Sequence, residues 1–319
     1  MPFKIVDCYR PDIVEQTRGC SALMWHWAHN DPKAALFARQ LTLSLEKRGM
    51  VVFPDSATSW HYDDKVGQKY LLEAIGAPLV PTWVFYRAEE ALRWAETTTY
   101  PKVFKLRGGA GSMNVHLVRS LGEARGLIHR SFGAGWSAAG SPWAPIRERL
   151  WHIRRDRTMR SVLDVGRGIY RAVWPHPNYR NGPMQKGYAY FQEFLPGNSY
   201  DLRIIVIGHR AFGIKRMVRE GDFRASGSGK LVHDPASISL ECLKAAFAVK
   251  DTLGAQSVAF DFMFRNDIPL IGEISYAFAL NGYRDCQGWW DQDLNWHEGR
   301  FRPEEFMIED VLARVEGQN

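Results

Sequence analysis

The sequence predicts a mixed α/β (α+β) protein, and three patterns carry that prediction. Short apolar runs and a capped helical segment alternate over residues 1–60. Strand signals then cluster at Tyr188–Phe194, Leu202–Ile207 and Ala211–Met217, followed by a helix across roughly Ser239–Leu253. Finally, Ser257–Ser275 reads as two apolar strands, Val258–Phe264 and Pro269–Ser275, joined by a turn around Asn266-Asp267.

Each element has a local reason. Phe3–Val6 and Ala22–Trp27 read as strands, and Asp31-Pro32 starts a helix that runs to about Arg48. Asp is a good N-cap, and Pro is preorganised for the first helical position. Gly49 ends that helix and Val51-Val52-Phe53 is a short strand. A second helix begins at Asp64 and stops at Gly76, and Pro78–Tyr86 holds an extended piece and a strand. Lys102–Leu106 is a strand entering Gly108-Gly109-Ala110-Gly111-Ser112, Val115–Val118 returns, and Ser120–Phe132 is helical. Residues 133–187, rich in Gly, Pro, Trp and Arg, read as an insertion or cover. The last helix lies near Pro303–Val315. The domain expectation is a small N-terminal unit over 1–62 and a larger domain over 63–319.

At 319 residues the chain can bury a large core. It has no apolar run long enough to span a bilayer and no signal-peptide core in its first twenty residues, and its four cysteines form no CxxC pair. A disulfide framework and a zinc site are therefore not expected, and a reducing cytoplasm is. The formal charge is +6, with nine arginines between Arg147 and Arg180 opposed only by Glu148, Asp156 and Asp164. That segment is either a surface for an anionic partner or a solvated basic face.

The acidic hairpin carries the first chemical signal. If the connection is odd-numbered, Asp261 lies opposite Glu273 on one face, and Ser275 projects from that face too. Two carboxylates among apolar neighbours repel each other and resist desolvation. A divalent cation removes both problems, and oxygen ligands suit Mg²⁺. The alternative is a solvent-facing hairpin whose acids never meet.

A second signal is the glycine loop. Gly108, Gly109 and Gly111 would let backbone N–H groups approach phosphate oxygens, Ser112 adds a hydroxyl, and Lys105 adds a point charge. The loop lacks the GxxxxGK[ST] pattern, and a flexible hairpin remains the other reading. A third cluster follows: Gln192-Glu193-Phe194-Leu195, then Asp201-Leu202-Arg203, Lys215-Arg216 and Gly221-Asp222-Phe223-Arg224. Backbone groups at 192–195 would read an adenine edge while a carboxylate reaches ribose. Arg216 and Arg224 would neutralise a transferring phosphoryl group. Asp-x-Arg on a strand reads equally as a surface ion pair.

In that order these motifs resemble the ATP-grasp superfamily, within it the branch of glutathione synthetases, D-alanine–D-alanine ligases and ribosomal-protein glutamate ligases. The resemblance covers about Asp64 to Leu280. It implies an ATP-grasp fold, two α+β subdomains clamping ATP, preceded here by the small N-terminal unit. Lys65, in Asp64-Lys65-Val66-Gly67, matches the first nucleotide lysine, Lys105 the second, and Gly108–Ser112 the loop that closes over the phosphates. Gln192 to Leu195 match the adenine-binding hinge, with Asp201 the ribose neighbour. Lys215 adds to the nucleotide contacts, Arg216 and Arg224 imply phosphate or acyl-phosphate contacts, and Asp261 and Glu273 match the metal carboxylates.

Departures accompany the match. Serine at 275 stands where the family carries asparagine, and Tyr276-Ala277-Phe278-Ala279 replaces the usual Ser-Pro-Gly. The resemblance implies ATP with Mg²⁺, or Mn²⁺ in its place, and ligation of a carboxylate to an amine or thiol through an acyl phosphate. The carboxylate would be a small molecule or linked to a peptide or sugar. Two other readings stay open: a phosphotransferase acting on a hydroxyl or on a histidine such as His209, His233 or His297, and a non-catalytic nucleotide or polyanion binder. The tail around Trp289, Trp290 and Trp296 either docks the last helix or stacks a sugar or peptide. The sequence sets no oligomeric state.

Overall fold

A computed structural model of the chain describes residues 2–28, 31–109, 114–137, 184–219, 222–225 and 229–317. The basic stretch at 147–180, most of the expected insertion, and the loop residues Gly111, Ser112 and Gly221 lie outside them. The chain divides into two compact units, Met1–Val80 with Leu195–Asn319, and Pro81–Phe194.

The larger unit starts with two parallel strands, β1 (Ala22–Met24) and β2 (Val51–Phe53), bracketing helix α2 (Pro32–Lys47), which follows the single turn α1 (Ile13–Gln16). The Asp31 carboxylate accepts from the Lys33 amide, so the expected cap forms. Ala34, Ala38, Leu41 and Leu45 follow 3.6-residue spacing and all lie buried. Phe3–Val6 is not a strand. Most of that run is exposed, and an apolar pattern without a pairing edge does not make sheet. The single turn α3 (Ser56–Ser59) leads to α4 (Lys65–Ala74), whose first turn is capped by Asp64 accepting from Gly67 at 2.9 Å.

The smaller unit is a four-stranded antiparallel sheet in the order β3 (Thr82–Phe85), β8 (Ala189–Glu193), β4 (Lys102–Lys105), β5 (His116–Val118). A short pair, β6 (Trp136–Ser137) and β7 (Met184–Gln185), forms a separate ladder, and Trp136 packs on Phe104 of the sheet. Helices α5 (Ala88–Thr97) and α6 (Leu121–Phe132) cover the face that carries Phe104, Ala189 and Phe191. Sequence reasoning missed α5. Its buried stripe is Ala91 and Ala95, too weakly hydrophobic to stand out, although AEEALRWAE is rich in strong helix formers.

The larger unit is built on a seven-stranded sheet in the order β13 (Ile268–Ser275), β12 (Ser257–Arg265), β9 (Tyr200–Ile207), β10 (Arg210–Met217), β14 (Gly288–Asp291), β15 (Trp296–Glu298), with β11 (Leu231–Val232) on β10. Alternation sorts its side chains. Leu202, Ile204, Val206, Val258, Phe260 and Phe262 pack against α7 (Leu240–Leu253), capped by Ser239. Ile205, Ile207, Phe212, Ile214 and Ala259 pack on the opposite face against α8 (Pro303–Glu316), Phe278, Tyr283 and Cys286. Each fully buried side chain of this size contributes about 1.5–3 kcal/mol. The hairpin β14–β15 was also not foreseen. Trp290 packs on Trp296 at 4.5 Å, and Trp289 reaches Phe306 of α8 at 5.7 Å, which favours the helix-docking reading of the tail.

Candidate active site

On the α8 face, the apolar rows of β9, β10 and β12 give way to charge. Cross-strand partners in an antiparallel sheet point to the same side. Asp261 pairs with Arg203, Arg203 with Ile214, and Asp201 with Arg216. Asp261 also pairs with Glu273, and Ala259 with Ser275. Six polar side chains thus continue the face that carries Ile205, Phe212 and Ala259: Asp201, Arg203, Arg216, Asp261, Glu273 and Ser275.

The Asp261–Glu273 pairing arises differently from the expectation. The turn holds only Asn266 and Asp267, both at positive φ (50° and 65°), a two-residue hairpin connection. An even connection would oppose Asp261 to Gly272. A β-bulge between Asp261 and Phe262 absorbs one residue of β13 and restores the acid–acid register.

The charges are tightly paired. Arg203 donates to Asp261 through Nε to Oδ1 (2.5 Å) and Nη2 to Oδ2 (2.8 Å). Arg216 grips Asp201 with two bonds of 2.6 Å and also reaches Asp261 Oδ2 at 2.9 Å. Lys65, the first residue of α4, places its buried Nζ 3.0 Å from Glu273 Oε1. Burial works against the Asp261 carboxylate, but Arg203 and Arg216 more than reverse it and hold the group well below the usual carboxylate range. Asp201 goes the other way. Its burial, reinforced by the charge of Asp261, raises it despite Arg216. Asp261 answers two guanidiniums and Asp201 chiefly one, which accounts for the opposite directions. Burial pushes the Tyr283 hydroxyl, beside Arg203, up to about 12.

The other residues named from the sequence make contacts outside this ion-pair network. Lys215 pairs with Leu202, so it points to the opposite face from Arg216, with its Nζ 3.9 Å from the Tyr200 ring centroid. Arg224 is bidentate to Asp222, with Nε 3.0 Å from Oδ1 and Nη2 2.5 Å from Oδ2. The Ser275 hydroxyl closes a local turn, donating to the Ala277 carbonyl at 2.8 Å and accepting from its amide at 3.2 Å. His233 meets the Gly282 carbonyl at 2.9 Å, and His297 stacks flat on Trp289 with centroids 4.1 Å apart.

In the smaller unit, Lys105 pairs with Tyr190 and Val103 with Gln192, so Lys105 and Gln192 share the face away from α5 and α6. Gln192 donates to Thr82 Oγ1 at 3.2 Å. Gly108, at the start of the glycine loop, donates to Gln185 Oε1 at 3.4 Å, and Gly109 has φ 115°. Glu193 does not join Gln192. It lies on the helix-covered face, where its carboxylate is 2.9 Å from the buried Nζ of Lys102, and its amide donates to the Pro81 carbonyl at 2.8 Å. Phe194 follows it, and Leu195, on the larger unit, is buried. Sequence reasoning missed Lys102 altogether and left Arg203 as an ordinary surface pair. Period-2 alternation was the available signal, since it puts Arg203 on the face of Asp201.

Known proteins bear on this arrangement. Residues 186–288, which span β8 to β13 and hold the whole charged face except Lys65, match the RimK-like ATP-grasp domain family. The D-alanine–D-alanine ligase of Bacillus anthracis, solved with ATP, superposes with a TM-score of 0.52 at 12% identity, over 97% of this chain and 84% of that one. The fold is ATP-grasp. The ATP-grasp ligase PsnB, solved with a minimal precursor, superposes at 0.51 and 12% identity over 93% and 79% of the two chains. No curated protein matches the chain by sequence.

The ATP-grasp face offers oxygen donors only. Among the described residues no group of three or more His, Cys, Asp and Glu could hold a metal, so a cation here would rest on two carboxylates, Asp261 and Glu273. Both lie on one face as neighbours, and Glu273 is a third exposed, so the pair fits a hard divalent ion that draws its other ligands from a bound molecule and water.

Proposed function

We propose that the protein is an ATP- and Mg²⁺-dependent ligase that joins a carboxylate to an amine or thiol through an acyl phosphate. The adjacency of Asp261 and Glu273, ringed by Lys65, Arg203 and Arg216, carries this reading. A phosphoryl group in transfer spreads negative charge over its oxygens, and fixed cations aimed at those oxygens are the largest contribution a protein makes. The match of residues 186–288 and the shared fold support the same reading.

In this reading a substrate carboxylate oxygen attacks the γ-phosphorus, the bond to the β,γ-bridging oxygen breaks, and ADP leaves. The amine then attacks the acyl carbon and inorganic phosphate departs. Lys65, Arg216 and Arg224 are the proposed phosphate contacts of the larger unit, with Arg216 and Arg224 catalytic. Asp201 is its proposed ribose contact, and Lys215 a further nucleotide contact. Lys105, the 108–112 loop and the 192–195 stretch are further proposed nucleotide contacts. Asp261 and Glu273, with Ser275 beside them, would hold Mg²⁺ or Mn²⁺, which neutralises the polyphosphate when bound. The protein itself positions, excludes water and supplies charge.

Hydroxylamine trapping tests the proposal. The chain is incubated with MgATP, hydroxylamine and pools of carboxylates, and hydroxamate and ADP are followed together. Equal yields of the two support the reading and name the acid. A chain that binds no MgATP sinks it.

A further inference from the structure

The N-terminal part of the larger unit holds a cavity away from the charged face. It has a volume of about 510 Å³ and lies where the loops entering β1 and β2 meet the end of α8. Arg18, Gly19, Ser21, Arg48, Met50 and Val315 are among its lining residues. That volume falls within the roughly 300–1,000 Å³ of small-molecule sites. β1 runs from the cavity toward Trp27, whose ring centroid is 5.3 Å from that of Tyr276, the neighbour of Ser275. The cavity thus sits at the far end of β1 from the proposed reaction centre.

Its charge is one-sided. Among the described residues, two arginines and no acid line it. Arg48 is the C-cap of α2, where a cation ordinarily serves the helix by donating to its last carbonyls. The Arg48 side chain does something else. Its Nη2 reaches across to the loop before β1, donating to the Thr17 hydroxyl at 3.1 Å and the Thr17 carbonyl at 3.4 Å. Thr17 is itself buried, so the guanidinium is held in place. Nε and Nη1 keep their N–H groups without a partner among the described residues. Arg18 pairs with Glu15 at 2.9 Å, but both side chains are more than half exposed, and such a pair yields readily to a better anion.

We infer that this cavity is a binding site for a small anionic molecule bearing carboxylate or phosphate groups, held by Arg48 and Arg18. Arginine forms its strongest hydrogen bonds to those two groups. Met50 and Val315 give the carbon frame of such a ligand apolar atoms to meet. The site is independent of the ligase reading and stands or falls without it.

The test is isothermal titration calorimetry on the full chain at low salt and without divalent cations, with citrate and inorganic phosphate as the probes. The wild type is expected to bind one citrate or one phosphate per chain, and the probe that binds tells carboxylate from phosphate recognition. Arg48→Gln is expected to weaken that binding at least about tenfold, the loss of a charge-assisted hydrogen bond. Arg18→Gln is an independent second variant and should weaken it in the same direction. Both positions are exposed, so neither exchange should shift the denaturant midpoint. Arg87→Gln removes an exposed arginine of the smaller unit and should leave the affinity unchanged. A wild type that binds neither probe overturns the inference. So does binding that Arg48→Gln leaves intact, or that Arg87→Gln weakens as much, since the anion would then be reading overall charge or another site.

Discussion

Glu273 faces Asp261 only because one residue of β13 is bulged out between them and the turn. In a regular ladder grown from the Asn266-Asp267 turn, Glu273 would oppose Phe260 and point into the α7 core. The bulge moves it to the face of Asp261, Arg203 and Arg216. A carboxylate pair that looks like a property of composition is therefore a property of register.

Asp261→Asn tests how much the pairing stabilises. The substitution leaves the Arg203 and Arg216 guanidiniums without their shared anion, and losing one partner of a hydrogen-bonded, largely buried charge pair costs at least about 2 kcal/mol. Denaturant unfolding at neutral pH should show that loss, together with loss of any hydroxamate activity. The pH signature follows from the depressed Asp261 pKa. An acid held below its unfolded value of about 3.9 adds stability above that pH and loses it as pH falls further. The wild type should therefore weaken relative to Asp261→Asn below about pH 4. A constant difference between the two proteins from pH 7 to pH 3 would show that the arginines do not stabilise the ionised form.

Lys102 and Glu193 should respond unequally to removal. The Lys102 side chain is 3% exposed and the Glu193 side chain 27% exposed. Glu193→Gln removes the anion from a buried ammonium, leaving it the Thr99 hydroxyl at 3.3 Å, and should cost about 2–3 kcal/mol. Lys102→Met leaves a partly solvated carboxylate and fills the space with apolar atoms, so it should cost under about 1 kcal/mol. Thermal unfolding of both variants checks the asymmetry, and equal losses would contradict it.

Arg210 anchors the last helix. It is buried, pairs with Glu309 and Asp310, donates to the Phe306 carbonyl at 3.3 Å, and lies 4.3 Å from the Phe306 ring centroid. Arg210→Ala should speed amide hydrogen exchange through α8 selectively, ahead of β9 and β12. Uniform acceleration across the sheet would mean that α8 has no independent opening.

The sequence showed much of this where local chemistry decides the outcome. Asp31, Asp64, Ser120 and Ser239 each cap the helix they were expected to start. The acidic hairpin and the central strands stand close to their expected bounds. What stayed hidden depends on pairing across long separations. The bulge that sets Glu273 leaves no mark in the spacing, because a two-residue turn alone points to the wrong partner. Glu193, expected among the nucleotide contacts, has its side chain beside Lys102 rather than Gln192, a placement that only strand parity reveals. Arg203 looked like a surface pair because its partner, Asp261, lies 58 residues away.

His61 supplies the last prediction. It is fully buried, and neither ring nitrogen has a hydrogen-bond partner among the described residues. Burial first, and the Arg39 guanidinium second, lower its pKa to about 4 against the pull of Asp64. The folded protein therefore holds the ring neutral, while the unfolded chain takes up a proton below about pH 6.5. A base with a depressed folded pKa contributes nothing adverse above the unfolded value, and stability is lost as pH falls from about 6.5 toward 4. The loss approaches about 3 kcal/mol, as an order of magnitude. His61→Leu removes both unpartnered nitrogens and the titration together. It should be at least as stable as the wild type at pH 7, because replacing an unsatisfied polar group by an apolar one avoids its desolvation cost. Its margin over the wild type should widen steadily down to pH 4.5, measured as denaturant midpoints at each pH. Parallel curves over that range would show that His61 keeps its proton on folding.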